Sequence, residues 1–227
     1  MEILDLRSGG SLKSVAPYPS EGVLLGPGQS YRVGASSTAY GYSVHGRCIV
    51  NQRQVFAGEY FCLPGSSPDG EIQCERDSTT AVFIREGFVG LFSIGQTEEQ
   101  GRVAYIDGCT DSVLVCPPRM GDPCLNFLHF PAGVRQSFHS HPTVRLGVVA
   151  SGKGTACILN GDRRDEIQIS LEPGLVFMLP SSMVHRFETT SGTHLNVIAY
   201  HPDSDWGPTD QNHPMLNRTY LVDTLKR

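Results

Sequence analysis

Two stretches of this 227-residue chain repeat one pattern of glycine, proline and short apolar runs. The first, His45 to Gly65, reads H-G-R-C-I-V-N-Q-R-Q-V-F-A-G-E-Y-F-C-L-P-G. The second opens with S-G-K-G-T-A-C-I-L-N-G at Ser151 and continues with P-G-L-V-F-M-L-P from Pro173 to Pro180. Gly46 pairs with Gly152, and A-G-E-Y-F-C-L-P pairs with P-G-L-V-F-M-L-P. The interval from Gly46 to Gly58 is ten residues shorter than that from Gly152 to Gly174, so the first copy is expected to lack the length of one hairpin arm. In the second copy that arm contains Asn160-Gly161, a strong type I′ turn signal. A supersecondary unit that recurs within one chain points to a repeated fold. Here each copy reads as short alternating strands separated by Gly, Pro and Asn turns, which is an all-β pattern.

Composition agrees. The chain holds 25 glycines and 15 prolines, and few stretches show helical periodicity. Net charge is −5 with only three lysines, so there is no basic stripe to track nucleic acid or an anionic membrane surface. No apolar run approaches the roughly 20 residues of a membrane span. The start, M-E-I-L-D-L-R-S-G-G, lacks the charged-then-apolar pattern of a signal peptide. The seven cysteines are scattered without a C-x-x-C pair and read as reduced thiols. A cytoplasmic location is the expectation. There is also no P-loop, no G-x-G-x-x-G at a strand–helix junction and no G-x-S-x-G elbow.

The chemistry concentrates in the second half. G-V-R-Q-S-F-H-S-H places His139 and His141 two residues apart, and in a strand of period two they share a face. His185 ends G-L-V-F-M-L-P-S-S-M-V-H. Neutral imidazoles on one concave face offer nitrogen to a divalent transition metal, and a third histidine from a neighbouring strand completes a facial triad with open positions.

These residues resemble the two motifs of the cupin superfamily. Gly133, His139, His141 and Gly152 match the first, and Gly174, Pro180 and His185 match the second. Ser182 stands at the second motif's later glycine and Thr189 at its asparagine. Arg145 occupies the glutamate position of the first motif, where the family's usual fourth protein ligand would lie. The chain is therefore similar to the three-histidine branch, which includes thiol dioxygenases and β-diketone-cleaving dioxygenases. The resemblance implies two barrels in one chain, a bicupin. Residues 1–100 would form a degenerate barrel without metal, and 101–227 a metal-binding barrel with a wrapping tail. The seam is expected within Ile94–Val103. The first copy has no histidine in Y-R-V-G-A-S-S-T or in S-S-P-D-G; its expected role is to bury one face of the catalytic barrel or to form the interface of a homodimer.

By the same resemblance Arg145 points into the barrel. An arginine there stays charged and must find an anion. One reading is an internal salt bridge, for instance to a carboxylate of the tail; the other is a bidentate clamp on a substrate carboxylate. Three neutral ligands leave up to three coordination positions, enough for a bidentate substrate and O2. Fe(II) suits this set best, and nickel and manganese also fit the ligand type. The implied function is a metal-dependent dioxygenase acting on a small carboxylate-bearing molecule, with a cysteine-like thiol as the leading candidate. The alternatives are a redox-neutral isomerase, cyclase or lyase, and a ligand-binding barrel without catalysis. Ser137 and Phe187, each two residues from a histidine, are expected to face inward, and His129 to stand behind the ligands. Ser137 and Phe187 have a simple packing reading as well. His194, His201 and His213 read as surface residues, and the segment from His201 is expected to wrap a barrel mouth or a partner, with one short helix or strand near Met215–Val222.

Overall fold

A computed structural model describes residues 10–15, 17–159, 166–217 and 219 of the chain. The architecture is all-β apart from short helical turns. The first unit contains β1 (Ser11–Ser14), β2 (Ser20–Leu25), β3 (Ser30–Arg32), β4 (Thr38–His45), β5 (Arg47–Val50), β6 (Arg53–Phe56), β7 (Glu59–Pro64), β8 (Glu71–Cys74), β9 (Thr79–Arg85) and β10 (Ser93–Gln96). The second contains β11 (Val103–Ala104), β12 (Thr110–Val115), β13 (Cys124–Phe130), β14 (Arg145–Gly152), β15 (Gly154–Leu159), β16 (Glu166–Leu171), β17 (Val176–Leu179), β18 (His185–Glu188) and β19 (Leu195–His201). Each unit pairs a six-stranded antiparallel sheet with a smaller one. The large sheets run β1-β2-β9-β4-β7-β10 and β11-β12-β13-β19-β14-β17; the small ones run β3-β8-β5-β6 and β16-β15-β18.

The large sheets are apolar on both faces, and this sets the whole arrangement. Along β9, Val82 and Ile84 point into the first unit, while Ala81 and Phe83 point toward the second. Along β19, Leu195 and Val197 face the interior of the second unit, and Ile198 and Tyr200 face the first. A strand buried on both faces reads as a continuous apolar run, as A-V-F-I and V-I-A-Y do here. Three apolar layers result: one inside each unit, and one between the large sheets. The middle layer centres on Tyr200, whose ring lies 5.3 Å from that of Tyr40 and 5.8 Å from that of Phe83. Its hydroxyl is 3.3 Å from Ser20 Oγ, so the one polar atom of the ring has a partner.

The internal repeat is visible in matched details. Gly41 on β4 lies opposite Phe61 on β7, and Gly147 on β14 lies opposite Phe177 on β17. In each pair the ring covers the glycine so closely that a Cβ would stand 2.1 Å from Phe61 or 2.5 Å from Phe177. Gly46 and Gly152 also correspond. Both have positive φ, and a Cβ on either would meet a backbone oxygen at about 2 Å, that of Asp77 or of His194. The shorter first hairpin has a different form from the one expected. Neither arm is lost; both shrink, to four residues in β5 and β6 against six in β15 and β16. Asn51 and Gln52, both at positive φ, make its turn. The expected turn at Asn160-Gly161 lies outside the described residues.

Residues 97–102 link β10 to β11. After β19 the chain turns back, with the Pro202 carbonyl accepting from Arg85 Nε at 3.2 Å and the Pro208 carbonyl accepting from Met120 N–H at 3.0 Å. It ends its described part in one helical turn, Pro214–Asn217. No helix among the described residues is long and apolar enough to cross a membrane. All seven cysteines are free, and six are buried among the strands, with Cys116 exposed.

If the glycine–ring pairs are packing requirements, Gly147→Ala will destabilise the protein by about 1–3 kcal/mol through overpacking. Adding Phe177→Leu should recover part of that loss in a double-mutant cycle of urea unfolding. Equal stability of wild type and Gly147→Ala would show that Phe177 yields freely.

Candidate metal centre

His139, His141 and His185 come together in the second unit. Their ligating nitrogens all lie within 4.8 Å of one another. Ring centroids are separated by 4.5 Å (His139–His185), 5.2 Å (His141–His185) and 5.3 Å (His139–His141). His185 begins β18, but the H-x-H segment is not the regular strand expected from its spacing. It runs extended beside β18 and touches it in two isolated bridges, Arg135 with Glu188 and His139 with His185. The second bridge is reciprocal: His139 N–H donates to the His185 carbonyl at 3.0 Å, and His185 N–H donates to the His139 carbonyl at 2.9 Å. The two histidines thus fix each other's backbone directly.

Local hydrogen bonds also fix which ring nitrogens face the centre. His139 Nδ1 lies 2.9 Å from the Ser137 carbonyl, and His185 Nδ1 lies 2.9 Å from the Met183 carbonyl. A carbonyl only accepts, so each Nδ1 carries the proton and Nε2 keeps its lone pair. Burial, reinforced by the Arg145 charge and the neighbouring imidazoles, pushes His141 down to about 3. Burial pushes His185 down to about 4. Both are neutral at physiological pH, which is the state that ligates a metal. The donor set therefore fits a divalent transition ion.

The two departures within the second motif have structural counterparts. Ser182 adopts φ 62°, the left-handed conformation a glycine would take without strain, and donates its N–H to the His141 carbonyl at 2.7 Å. The Thr189 hydroxyl donates to the Pro131 carbonyl at 2.6 Å and accepts from Val134 N–H at 3.0 Å. It ties the end of β18 to the loop that leads into the H-x-H segment.

The remaining sequence-derived residues are distributed unequally. Phe187 lines the cavity, edge-on to Phe130 and Phe177. Ser137 has an exposed side chain, which donates to Asp107 at 3.2 Å instead of facing inward; it is its carbonyl that orients His139. His129 is hydrogen-bonded to Asn196 Oδ1 at 2.7 Å and stacked 6.0 Å from His194, and it does not line the cavity. Arg145 does line it. Its Nη1 donates to the Val144 carbonyl at 3.0 Å and to the Thr143 hydroxyl, and it lies 3.6 Å from Asp203 in the returning tail. Its Nε is buried and has no partner.

Four further polar residues line the same cavity, a space of about 520 Å3 including its mouth: Tyr105, Asp111 and Gln136, which sequence reading passed over, and His201, which it misplaced. Asp111 on β12 receives the Asn126 amide on both oxygens at 3.1 Å, and desolvation holds its carboxyl above the usual range. Burial also raises the Tyr105 hydroxyl. His201 was expected at the surface, yet it closes β19 in step with Val197 and Ala199, so strand parity carries it inward. That parity was the available signal. Gln136 accepts from Phe187 N–H at 3.1 Å and so helps to hold β18.

The comparisons with known proteins follow this geometry. No family model matches the sequence, and neither does any curated protein. Solved structures do match. A cupin 2 conserved barrel domain protein from Leptotrichia buccalis aligns at 16% identity and a TM-score of 0.57, over 84% of this chain and 87% of its own. The fold is a cupin fold, with two barrels in one chain. A Pseudomonas aeruginosa protein described as glyoxylate-induced aligns at 16% identity with a TM-score of 0.62, over 86% of this chain and 77% of that one. Oxalate decarboxylase of Bacillus subtilis, studied for its Mn(II) centres, aligns at 13% identity with a TM-score of 0.52, over 90% and 73%. None of these is described as a thiol dioxygenase.

The depressed histidines make stability depend on pH. Their folded pKa values lie below the unfolded value of about 6.5, so the unfolded chain binds more protons as pH falls, and stability is lost from about pH 6.5 down toward 3. Metal-free protein should lose about 3 kcal/mol between pH 6.5 and 5, read from urea unfolding, and a His141→Gln, His185→Gln double variant should lose clearly less over that range. An equal loss in both proteins would assign the pH dependence to other groups.

Proposed function

We propose that the second barrel holds one divalent metal ion through His139, His141 and His185 and acts as a dioxygenase on a small carboxylate-bearing substrate. The supporting observation is that three converging imidazoles line one cavity with Arg145, whose buried Nε has no partner. When bound, the ion supplies Lewis acidity and, if it is Fe(II), a path for electrons from substrate to O2. Manganese is the alternative suggested by the Mn(II) centres of the oxalate decarboxylase neighbour. A thiol-bearing amino acid remains one member of the substrate class.

The protein residues have separable tasks. Arg145 is held from behind by the Val144 carbonyl, Thr143 and Asp203, all through Nη1. Its Nε edge is left to receive a carboxylate, and that would supply a buried donor with the partner it lacks. Both readings of Arg145 thus have a part: the tail carboxylate anchors it, and the substrate completes it. Phe130, Phe177 and Phe187 wall the cavity and exclude water, which strengthens each charged contact. Asp111, with its raised pKa, supports a second reading, a redox-neutral lyase or isomerase in which its carboxyl takes or gives a proton.

The test is oxygen uptake by Fe(II)-loaded and Mn(II)-loaded protein with a panel of small carboxylates that includes L-cysteine and oxalate. Uptake coupled to product supports the dioxygenase, turnover without oxygen favours the second reading, and no turnover on any member would leave a binding barrel. On a turned-over substrate, Arg145→Lys should lower kcat/KM by about 1.5–3 kcal/mol, because it keeps the charge and loses the directed hydrogen bonds. Arg145→Glu should bind metal more tightly and turn over less. Unaltered kcat/KM with a lowered melting temperature in both variants would reduce Arg145 to a structural ion pair.

A further inference from the structure

The H-x-H segment has little regular backbone support, because only two isolated bridges join residues 135–139 to β18. A metal centre nevertheless needs its ligands held to within about 0.5 Å. On β18 the inward residues His185 and Phe187 line the cavity, and the alternate residues Arg186 and Glu188 do not. Arg186 has a side chain only 9% exposed. Its Nε donates to Glu188 Oε1 at 2.6 Å, and its Nη2 donates to the two Glu166 oxygens at 3.3 and 3.2 Å. The same Glu188 Oε1 accepts from Arg135 Nε at 2.7 Å, so one carboxylate oxygen joins an arginine from each of the two segments. Arg186 Cζ lies over the ring of Phe138, the residue before His139, 4.1 Å from its centroid.

Cys157, Glu166 and Glu188 also bring ligand-type atoms within 4.8 Å of one another. Arg186 already pairs both carboxylates, so this second cluster is an ion-pair site and not a second metal centre.

We infer that Arg186, Glu188 and Phe138 form a clamp on the outer side of the barrel that fixes His139 against His185 and thereby sets metal affinity. The inference rests on the three-histidine reading of the centre. All three are positioning residues. The planar guanidinium does two things at once: its edge binds carboxylates from β16 and β18, and its Cζ lies over the ring of Phe138. A lysine keeps the charge but cannot hold both contacts in one geometry. Held in this way, the segment before His139 is pinned between the bridge at Arg135 and the stacked ring, and the His139 imidazole follows its backbone.

The test uses two variants that leave net charge unchanged, Arg186→Lys and Phe138→Leu, so a simple Coulomb effect on a cation is excluded. Co2+ affinity is measured by chelator competition on the full chain, with the visible absorption of bound Co2+ as a report on ligand geometry. Both variants should bind Co2+ about tenfold more weakly, the scale on which residues behind metal ligands act, with an altered absorption spectrum. Wild-type affinity and spectrum in both variants would overturn the clamp, even if their melting temperatures fall. His139→Ala serves as the control for the centre itself: Co2+ bound as tightly as by wild type would sink the three-histidine reading, whereas its loss there with wild-type affinity in the other two would sink the clamp alone.

Discussion

Burial of the large sheets on both faces is the constraint on which the molecule depends. A strand such as β19 cannot satisfy V-I-A-Y with one core, because its two sets of side chains point in opposite directions. The first unit supplies the second apolar surface. Tyr40, Phe83 and Leu12 from one side meet Leu125, Phe127, Ile198 and Tyr200 from the other. The barrel that carries the histidines is therefore backed by a continuous packed layer. Its β14 and β19, which place Arg145, Ala199 and His201 around the cavity, cannot shift without disturbing that layer.

Within this frame the centre is assembled from opposed local preferences. The regular strand β18 offers His185, and an irregular segment brings His139 and His141. Irregular backbone allows two imidazoles of one segment to converge with a third, where a flat ladder would hold neighbouring rings roughly parallel. Reciprocal bonds between His139 and His185, the Ser182 N–H on the His141 carbonyl and the Thr189 hydroxyl between loops replace the missing ladder. The cost of the αL conformation at Ser182 is the residue's side of that arrangement.

Much of this was legible in the sequence, and the illegible part has physical causes. The glycine and apolar pattern specified the repeat because steric needs are local: Gly46 and Gly152 must be glycines where a Cβ would strike backbone. The three histidines were legible because their spacing fits one site. Asp111 was not, since its raised pKa arises from desolvation by strands distant in sequence, and no local pattern records that. His129 and Ser137 went astray for a related reason. Parity predicts a face only where a strand is regular, and Ser137 lies in the irregular segment; for His129, parity with Phe127 points it away from the cavity lined by Leu128 and Phe130. The Arg145 environment lay halfway. Its need for an anion follows from its chemistry, but that the tail supplies Asp203 depends on the return of the chain after β19.

The thiols carry a consequence of their own for a barrel read as handling oxygen. Packing among strands raises Cys48, Cys62, Cys124 and Cys157 to about 12, so almost none of each exists as the reactive thiolate near neutrality. Oxidative damage and alkylating reagents are thereby funnelled to Cys116, the exposed thiol that follows β12. The chain thus has, without engineering, a single address for a fluorophore or spin label. That address lies one residue past the end of the strand that carries Asp111, outside the cavity.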